Sequence, residues 1–222
     1  MPDAANPPGS VMSRRSFHRA GEGERRQELI TATLDCVAEL GLQGATVRQI
    51  AAKAGVTGGL IRHYFAGKDE MMQAAYEELM AGMTGAAIAA ADRGGATARE
   101  RLRDFIVANL TPPVTDGRTL SLWASFISHV RTDPTFARIH RESYLAFLSA
   151  LEQLIAAFLR ECDQPADPVH CRQLAIAING LIDGLWLEGT IAGDLFMETP
   201  LPAIALNSVE ALLGGLRLSD LE

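Results

Sequence analysis

Arg48 and Arg62, with Thr46, Thr57, His63, Tyr64 and Lys68 around them, are the residues of this chain best suited to a chemical task. They fall in one stretch, TVRQIAAKAGVTGGLIRHYFAGK, from Thr46 to Lys68. A guanidinium presents a fork of donors that matches O6 and N7 of guanine. Hydroxyls, an imidazole and an ammonium suit phosphate oxygens, which fix register without reading sequence. Gly58 and Gly59 have no side chains, so a backbone could come close to a duplex there, and Leu60 offers an apolar surface for a thymine methyl. The task these groups suggest is reading double-stranded DNA. Arg62 and then Arg48 are the candidates for base contact; Thr57, His63, Tyr64 and Lys68 are the candidates for phosphate. The plain alternative for each arginine taken singly is solvated surface.

Catalytic patterns are absent from the sequence. There is no G-x-S-x-G elbow, P-loop, HExxH or complete G-x-G-x-x-G; Gly21-x-Gly23 stands alone. The five histidines are scattered, and Cys36, Cys162 and Cys171 form neither a CxxC pair nor a zinc spacing. The expectation is a protein that is not an enzyme and needs no metal or cofactor. A sparse, odd cysteine count suits a reducing cytoplasm. The first residues lack an apolar signal core, and the uncharged run Leu79–Ala91 is too short and too rich in Gly and Ala to span a bilayer. A cytoplasmic protein without a membrane segment is expected.

Charge separates the chain into two parts. Net charge is −7, which argues against indiscriminate coating of nucleic acid. Residues 1–68 nevertheless hold nine Lys/Arg against six Asp/Glu, whereas residues 69–222 hold eleven against twenty-one. A basic head on an acidic body implies that only the head meets phosphate.

The elements that must position these groups follow from periodicity and punctuation. Residues 1–21 are rich in Pro, Gly, Ser and Asn and read as a disordered tail, in which Arg14, Arg15 and Arg19 are either solvated or a basic arm for DNA. Ile30, Leu34, Val37 and Ala38 give a helical face that Gly41 ends. Thr46 and Gln49 form a capping box, Gly55 supplies a turn, and Thr57 caps a short helix ending near Phe65. Two short helices at a tight turn are the layout of a helix-turn-helix, whose second helix enters a major groove. Further helices are expected over 68–91, 96–110, 118–130, 134–161, 169–191 and 202–216. Asp133-Pro134 starts one of them and the QPADP loop at 164–168 precedes another. The fold class is all-α, about nine helices. The expected division is a tail over 1–21, a DNA-binding head over 22–68, and a ligand-binding and dimerisation body over 69–222.

From Glu24 to about Met72 the chain resembles the N-terminal domain of the tetracycline-repressor (TetR) family of transcriptional regulators. The matching elements are ELITATLDCVAELGLQGATVRQIAAKAGV and GGLIRHYFAGKDEM, with Gly41, Thr46, Ala54-Gly55-Val56, His63-Tyr64-Phe65 and Lys68 at the family's spacing. The resemblance implies a homodimer on a palindromic operator, usually a repressor released by a small ligand. It places DNA contacts at Arg48, Thr57, Gly58, Gly59, Arg62, His63, Tyr64 and Lys68. Gly58 stands where the family often has a base-reading side chain, which shifts that work to Arg48 and Arg62. Further on, LWASFISHVRTDP and LIDGLWLEG are similar to the choline-responsive branch that represses glycine-betaine synthesis. Trp123 matches the first of that branch's two tryptophans in the former segment, and Ile127 replaces the second.

The body also has residues that could hold an effector. Phe105, Trp123, Phe126, Tyr144 and Phe147 could line one cavity, with Asn109, His129 and Asp183 as polar anchors. Aromatics at helical spacing serve equally as plain core. Asp183, inside an apolar helix, either binds a cationic ligand, pairs with an arginine or sits at a wet edge. Leu174, Ile178, Leu181 and Leu185 make one apolar stripe, and Val209, Leu212 and Leu213 another; together they are expected to form a two-fold dimer interface of four helices. The rival readings are an unrecognised enzyme and a helical adaptor that has lost DNA binding.

Overall fold

A computed structural model describes residues 21–92, 97–192, 196 and 200–218 of the chain. The proposed arm residues Arg14, Arg15 and Arg19 lie outside the described residues. The described residues contain α1 (Glu22–Gly44), α2 (Val47–Lys53), α3 (Gly58–Tyr64), α4 (Lys68–Ala91), α5 (Ala98–Asn109), α6 (Gly117–Ile127), α7 (Pro134–Glu161), α8 (Pro168–Ile191) and α9 (Leu201–Leu212). No strand occurs among them. The expected all-α class and the number of helices stand.

Local chemistry sets the short elements. Inside α1, Gly41 sits at φ 69°, where glycine is favoured, and breaks the helix before its last residues. The Thr46–Gln49 box opens α2, with the Thr46 hydroxyl accepting from the Gln49 amide and the Gln49 side chain accepting from the Thr46 amide. Gly55, at φ 65°, turns the chain. The Thr57 hydroxyl then accepts the Leu60 amide N–H at 3.4 Å and starts α3. In the body, Asp133 and Asp167 each accept backbone N–H groups at the heads of α7 and α8, and a proline follows each cap.

Two apolar clusters organise the chain. The first joins Leu29, Val37, Ile50, Ile61 and Phe65 of the head to Met71 and Tyr76 of α4, Phe126 of α6, and Phe136 and Ile139 of α7. The expected head boundary at Lys68 is the first residue of α4, but the head's apolar packing runs past it. The second cluster joins Leu102, Phe105 and Ile106 of α5, Leu151, Ile155 and Phe158 of α7, Ile178, Ile182 and Trp186 of α8, and Val209 of α9. Helix α6 lies between them: Leu122 and Phe126 belong to the first cluster, while Trp123 packs against both.

Two ends differ from expectation. Helix α6 stops at Ile127, where Ser128 and His129 turn the chain, rather than continuing to Val130. Helix α9 stops at Leu212, because Gly214 and Gly215 adopt φ 73° and 86°. The chain then folds back, burying Leu218, whose amide donates to Glu210 Oε1 at 2.8 Å. Helices α7 and α8 are long and apolar enough to cross a membrane by length and composition alone. Part of that apolar surface lies inside the protein, with Leu151 and Phe158 of one and Ile178 and Ile182 of the other in a shared core.

Candidate functional site

The head presents its polar groups outward. Arg48 and Arg62 are exposed, on α2 and α3 respectively, and no ion pair holds either among the described residues. Thr46, Thr57, Gly59 and His63 are also exposed, while Gly58, Leu60, Tyr64 and Lys68 are half-buried. A Cβ added to Gly58 would meet nothing within 4 Å, and at Gly59 only the Thr57 hydroxyl at 3.7 Å. The subunit's own packing therefore does not require glycine at either place. His63 stands edge-on to Tyr64 at 5.1 Å and 4.0 Å from Glu22. Lys68 has a different occupation from the one expected. Its ammonium donates to the Leu42 carbonyl at 2.9 Å, tying the start of α4 to the last residues of α1 beyond the Gly41 kink. In this geometry it braces the head, and reaching a phosphate would require that bond to be shared or given up.

The body encloses a cavity of about 370 Å³ walled by α4, α5, α6, α7 and α8. That volume lies within the usual range for small-molecule sites. Of the residues expected there, Asn109, Trp123, Tyr144, Phe147 and Asp183 line it. Phe105, Phe126 and His129 do not. Phe105 and Phe126 are fully buried, the first packed on Phe147 and the second stacked on Tyr76, so both fill core instead of facing space. His129 lies in the turn after α6, against Ser128 and the Phe136 ring.

Several lining residues were not anticipated. Trp186 stands edge-on to Trp123 with ring centroids 5.4 Å apart, and its indole N–H donates to the Val114 carbonyl at 2.8 Å. The second aromatic face thus comes from α8, where Ile127 leaves α6 without one. Met80, Met83 and Thr84 of α4, His140 and Ser143 of α7, and Asn179 of α8 complete much of the wall. The signals were present in the sequence: Trp186 and Asn179 flank Asp183 at i+3 and i−4, and His140 precedes Tyr144 and Phe147 by four and seven residues.

Electrostatics pick out two groups in this wall. The Asp183 carboxylate touches the open side of the cavity but is closely surrounded by protein, and desolvation raises its carboxyl above the usual range. Asn179 Nδ2, donating to it at 2.9 Å, partly offsets that. Burial pushes the His140 imidazole below its ordinary value and the Tyr76 phenol up to about 12. Both are therefore neutral at pH 7, and His140 Nδ1 lies 2.9 Å from the Tyr76 hydroxyl. Tyr76 is fully buried, stacked on Phe126 and tilted against Phe136, in the cluster shared with the head. A second bond between the same two helices, Thr84 to Ser143 at 3.3 Å, also lies in the cavity wall.

The expected interface residues are mostly committed elsewhere. Leu174, Ile178, Val209 and Leu213 are buried in the body core, and Leu181 and Leu185 pack against it. Only Leu212 is exposed, at 43%. The subunit itself uses Leu174, Ile178, Val209 and Leu213 as core, and Leu212 keeps a large exposed apolar surface.

A helix-turn-helix head with free arginines, joined to a helical body that encloses a cavity, defines a DNA-binding transcriptional regulator that responds to a ligand. The comparisons agree. Residues 29–75 match the profile of the bacterial regulatory proteins of the tetR family, and residues 98–214 match the C-terminal domain of BetI-type transcriptional repressors. The chain belongs to the tetR family of bacterial regulatory proteins, with a body of the BetI type. It is 31% identical over 175 residues to the HTH-type transcriptional regulator BetI of Stenotrophomonas maltophilia, covering 79% of this chain and 86% of that one. A crystal structure of a protein assigned as a transcriptional regulator from Pseudomonas aeruginosa PAO1 superposes with a TM-score of 0.76 at 31% identity, covering 89% of this chain and 92% of that one. Another regulator, from Saccharomonospora viridis, was solved in complex with choline. It shares the fold at 18% identity with a TM-score of 0.68, covering 87% of this chain and 97% of that one.

Proposed function

We propose that this regulator works in the cytoplasm as a homodimeric repressor whose two heads read the halves of an inverted-repeat operator, and that a small molecule in the body cavity releases it. Arg62 and Arg48 contact base edges. Thr46, Thr57, His63 and Tyr64 hold phosphate, Gly58 and Gly59 let the backbone come close, and Leu60 meets a thymine methyl. Two heads about 34–36 Å apart would sit in successive major grooves.

The observation that carries the release step is the bond between Tyr76 and His140. One partner lines the cavity and the other is fully buried in the cluster that supports the head. With both groups neutral, the Tyr76 O–H can donate to Nδ1, which leaves the Nε2 proton for a cavity occupant. An occupant that draws His140 toward itself disturbs Tyr76, the rings stacked on it and the start of α4. A coupling of about 1–3 kcal/mol between ligand and DNA would be ordinary for such a device.

The cavity chemistry favours an organic cation with an apolar body. Asp183 supplies the opposite charge, and the aromatic rings of Trp123, Trp186 and Tyr144 in the wall supply faces for cation–π attraction. The BetI-type body and the choline-bound fold relative point the same way. The test is fluorescence anisotropy of the protein with DNA from upstream of its own gene, across salt and then with choline and larger organic amines. Saturable binding at two protomers per inverted repeat, weakening steeply with salt and lost on adding an amine, is expected. Salt-insensitive binding, or no preference over random DNA for any candidate operator, would overturn the DNA-reading assignment.

A further inference from the structure

Resting on the cavity reading above, we propose that the effector enters through the seam between α4 and α7, by way of an outer groove that an organic cation occupies on its passage to the cavity.

The groove lies along that seam and has a volume of about 390 Å³. Its sides include the exposed small residues Ala81 and Gly85 of α4 and Ala146 of α7. A Cβ added to Gly85 would meet nothing within 4 Å, so the groove is open there for want of side chains. Met80, Thr84 and Ser143 line the groove and the cavity alike. They therefore form the partition between the two spaces. Across it runs one hydroxyl pair, Thr84 to Ser143 at 3.3 Å, which is long beside the usual separation of about 2.7–2.8 Å. The rest of the partition is Met80, whose unbranched side chain readily takes another shape. The bond between Tyr76 and His140, at 2.9 Å, joins the same two helices where Tyr76 is fully buried. The seam is thus tight beside the head and loose beside the groove.

The groove suits the occupant that the cavity suits. The charged side chains lining it are Glu77 and Glu142, and both reach one guanidinium, that of Arg138, at 3.7 Å and 2.8 Å. Two carboxylates against one arginine leave a negative charge at the rim, on a body that holds twenty-one acidic residues against eleven basic ones over 69–222. Such a field raises the local concentration of cations. Ile88 and Ile139 supply apolar wall between the rim and the partition. A cation with an apolar body leaves carboxylates outside and meets another, Asp183, inside. Met80 also belongs to the apolar cluster that supports the head, so a molecule that displaces it on the way in presses on that cluster.

The chain has two tryptophans, Trp123 and Trp186, and both line the cavity, so quenching of their fluorescence by acrylamide reports entry without any effector. The variants are Gly85→Phe and Ala146→Phe, which plug the groove from outside the cavity wall, and Thr84→Val, which removes the bond across the partition. Circular dichroism checks that each is folded. The plugged proteins are expected to be quenched severalfold less than the wild type, and Thr84→Val more. With choline as the probe in stopped flow, a plug should slow association and dissociation together by several fold and leave Kd unchanged, which a merely structural defect would not do. Folded plugged proteins quenched like the wild type would overturn the proposal and place the entrance elsewhere. If both plugs prevent folding, Thr84→Val decides alone, and quenching equal to the wild type would overturn the proposal. Failure of choline to bind the wild type would count against the cation chosen for the cavity, while the quenching results would still decide the route.

Discussion

The head and the body use side chains in opposite ways. In the head the two proposed base readers, Arg48 and Arg62, are exposed and held by no ion pair among the described residues. In the body the corresponding groups are already bonded to the protein: Asp183 to Asn179, His140 to Tyr76, Trp186 to Val114. A surface that reads DNA must leave its donors free for bases and phosphates. A cavity that senses a ligand must be connected to the rest of the fold, or occupancy would change nothing elsewhere. It follows that head substitutions should remove function and spare stability, while body substitutions should alter both.

Trp186→Ala should break the body most severely. A buried indole is lost and a cavity enlarged, for which about 3–5 kcal/mol of stability is typical. Thermal denaturation should show the loss, and a melting temperature within a degree of the parent would mean that Trp186 is a free cavity wall and not part of the core. Arg62→Ala should show the reverse behaviour. Its melting temperature should not change, while operator affinity falls by about 1–3 kcal/mol and discrimination relaxes at one base position. If every operator variant bound as it does to the parent, Arg62 would not be the reader.

Lys68→Ala sharpens the comparison because Lys68 sits where the two regions join. As a phosphate contact, its loss lowers the salt slope by about one. As the brace to the Leu42 carbonyl, its loss leaves the slope unchanged and lowers stability slightly. The structure favours the second outcome, and binding curves across salt together with a melting curve separate the two. Asp183→Asn should have the smallest effect on the empty protein. The folded carboxyl is raised, so the folded state holds its proton more tightly, and the resulting stabilisation is present below the unfolded value and lost as pH rises through the folded one. The asparagine variant should lack this pH dependence in the acid range and should be slightly more stable than the parent at neutral pH. Melting curves from pH 3 to 7 that run parallel for both proteins would remove Asp183 from the desolvated groups.

The same contrast explains what could be read in advance. The head was legible because its structure is local: Thr46 with Gln49, Gly55, and Thr57 with Leu60 each make their contact within a few residues. The caps at Asp133 and Asp167 are of the same kind. The body depends on what long helices do to one another. Periodicity shows that Phe105 and Phe126 turn inward, but not whether the space they meet is filled or hollow. It also shows that Leu174, Ile178 and Val209 form stripes, but not that the subunit consumes those stripes itself. Nor does it show that Ile176 and Leu187 are the large apolar residues α8 leaves exposed between its ends. His140 was missed for a related reason: a histidine on an apolar face gains its meaning only from Tyr76, which is distant in sequence.

Helix α6 has Leu122 and Phe126 turned to the head's cluster and Trp123 to the cavity, and near its start Arg118 is ion-paired with Asp35 of α1. The head is thus carried on two bearings, α4 and α6, instead of hanging from one. A body that shifts both by the same amount slides its head along the groove; one that shifts α4 alone pivots the head about α6. Since a rotation is magnified with distance from its pivot, the recognition helix would travel farther than the cavity wall that set it in motion.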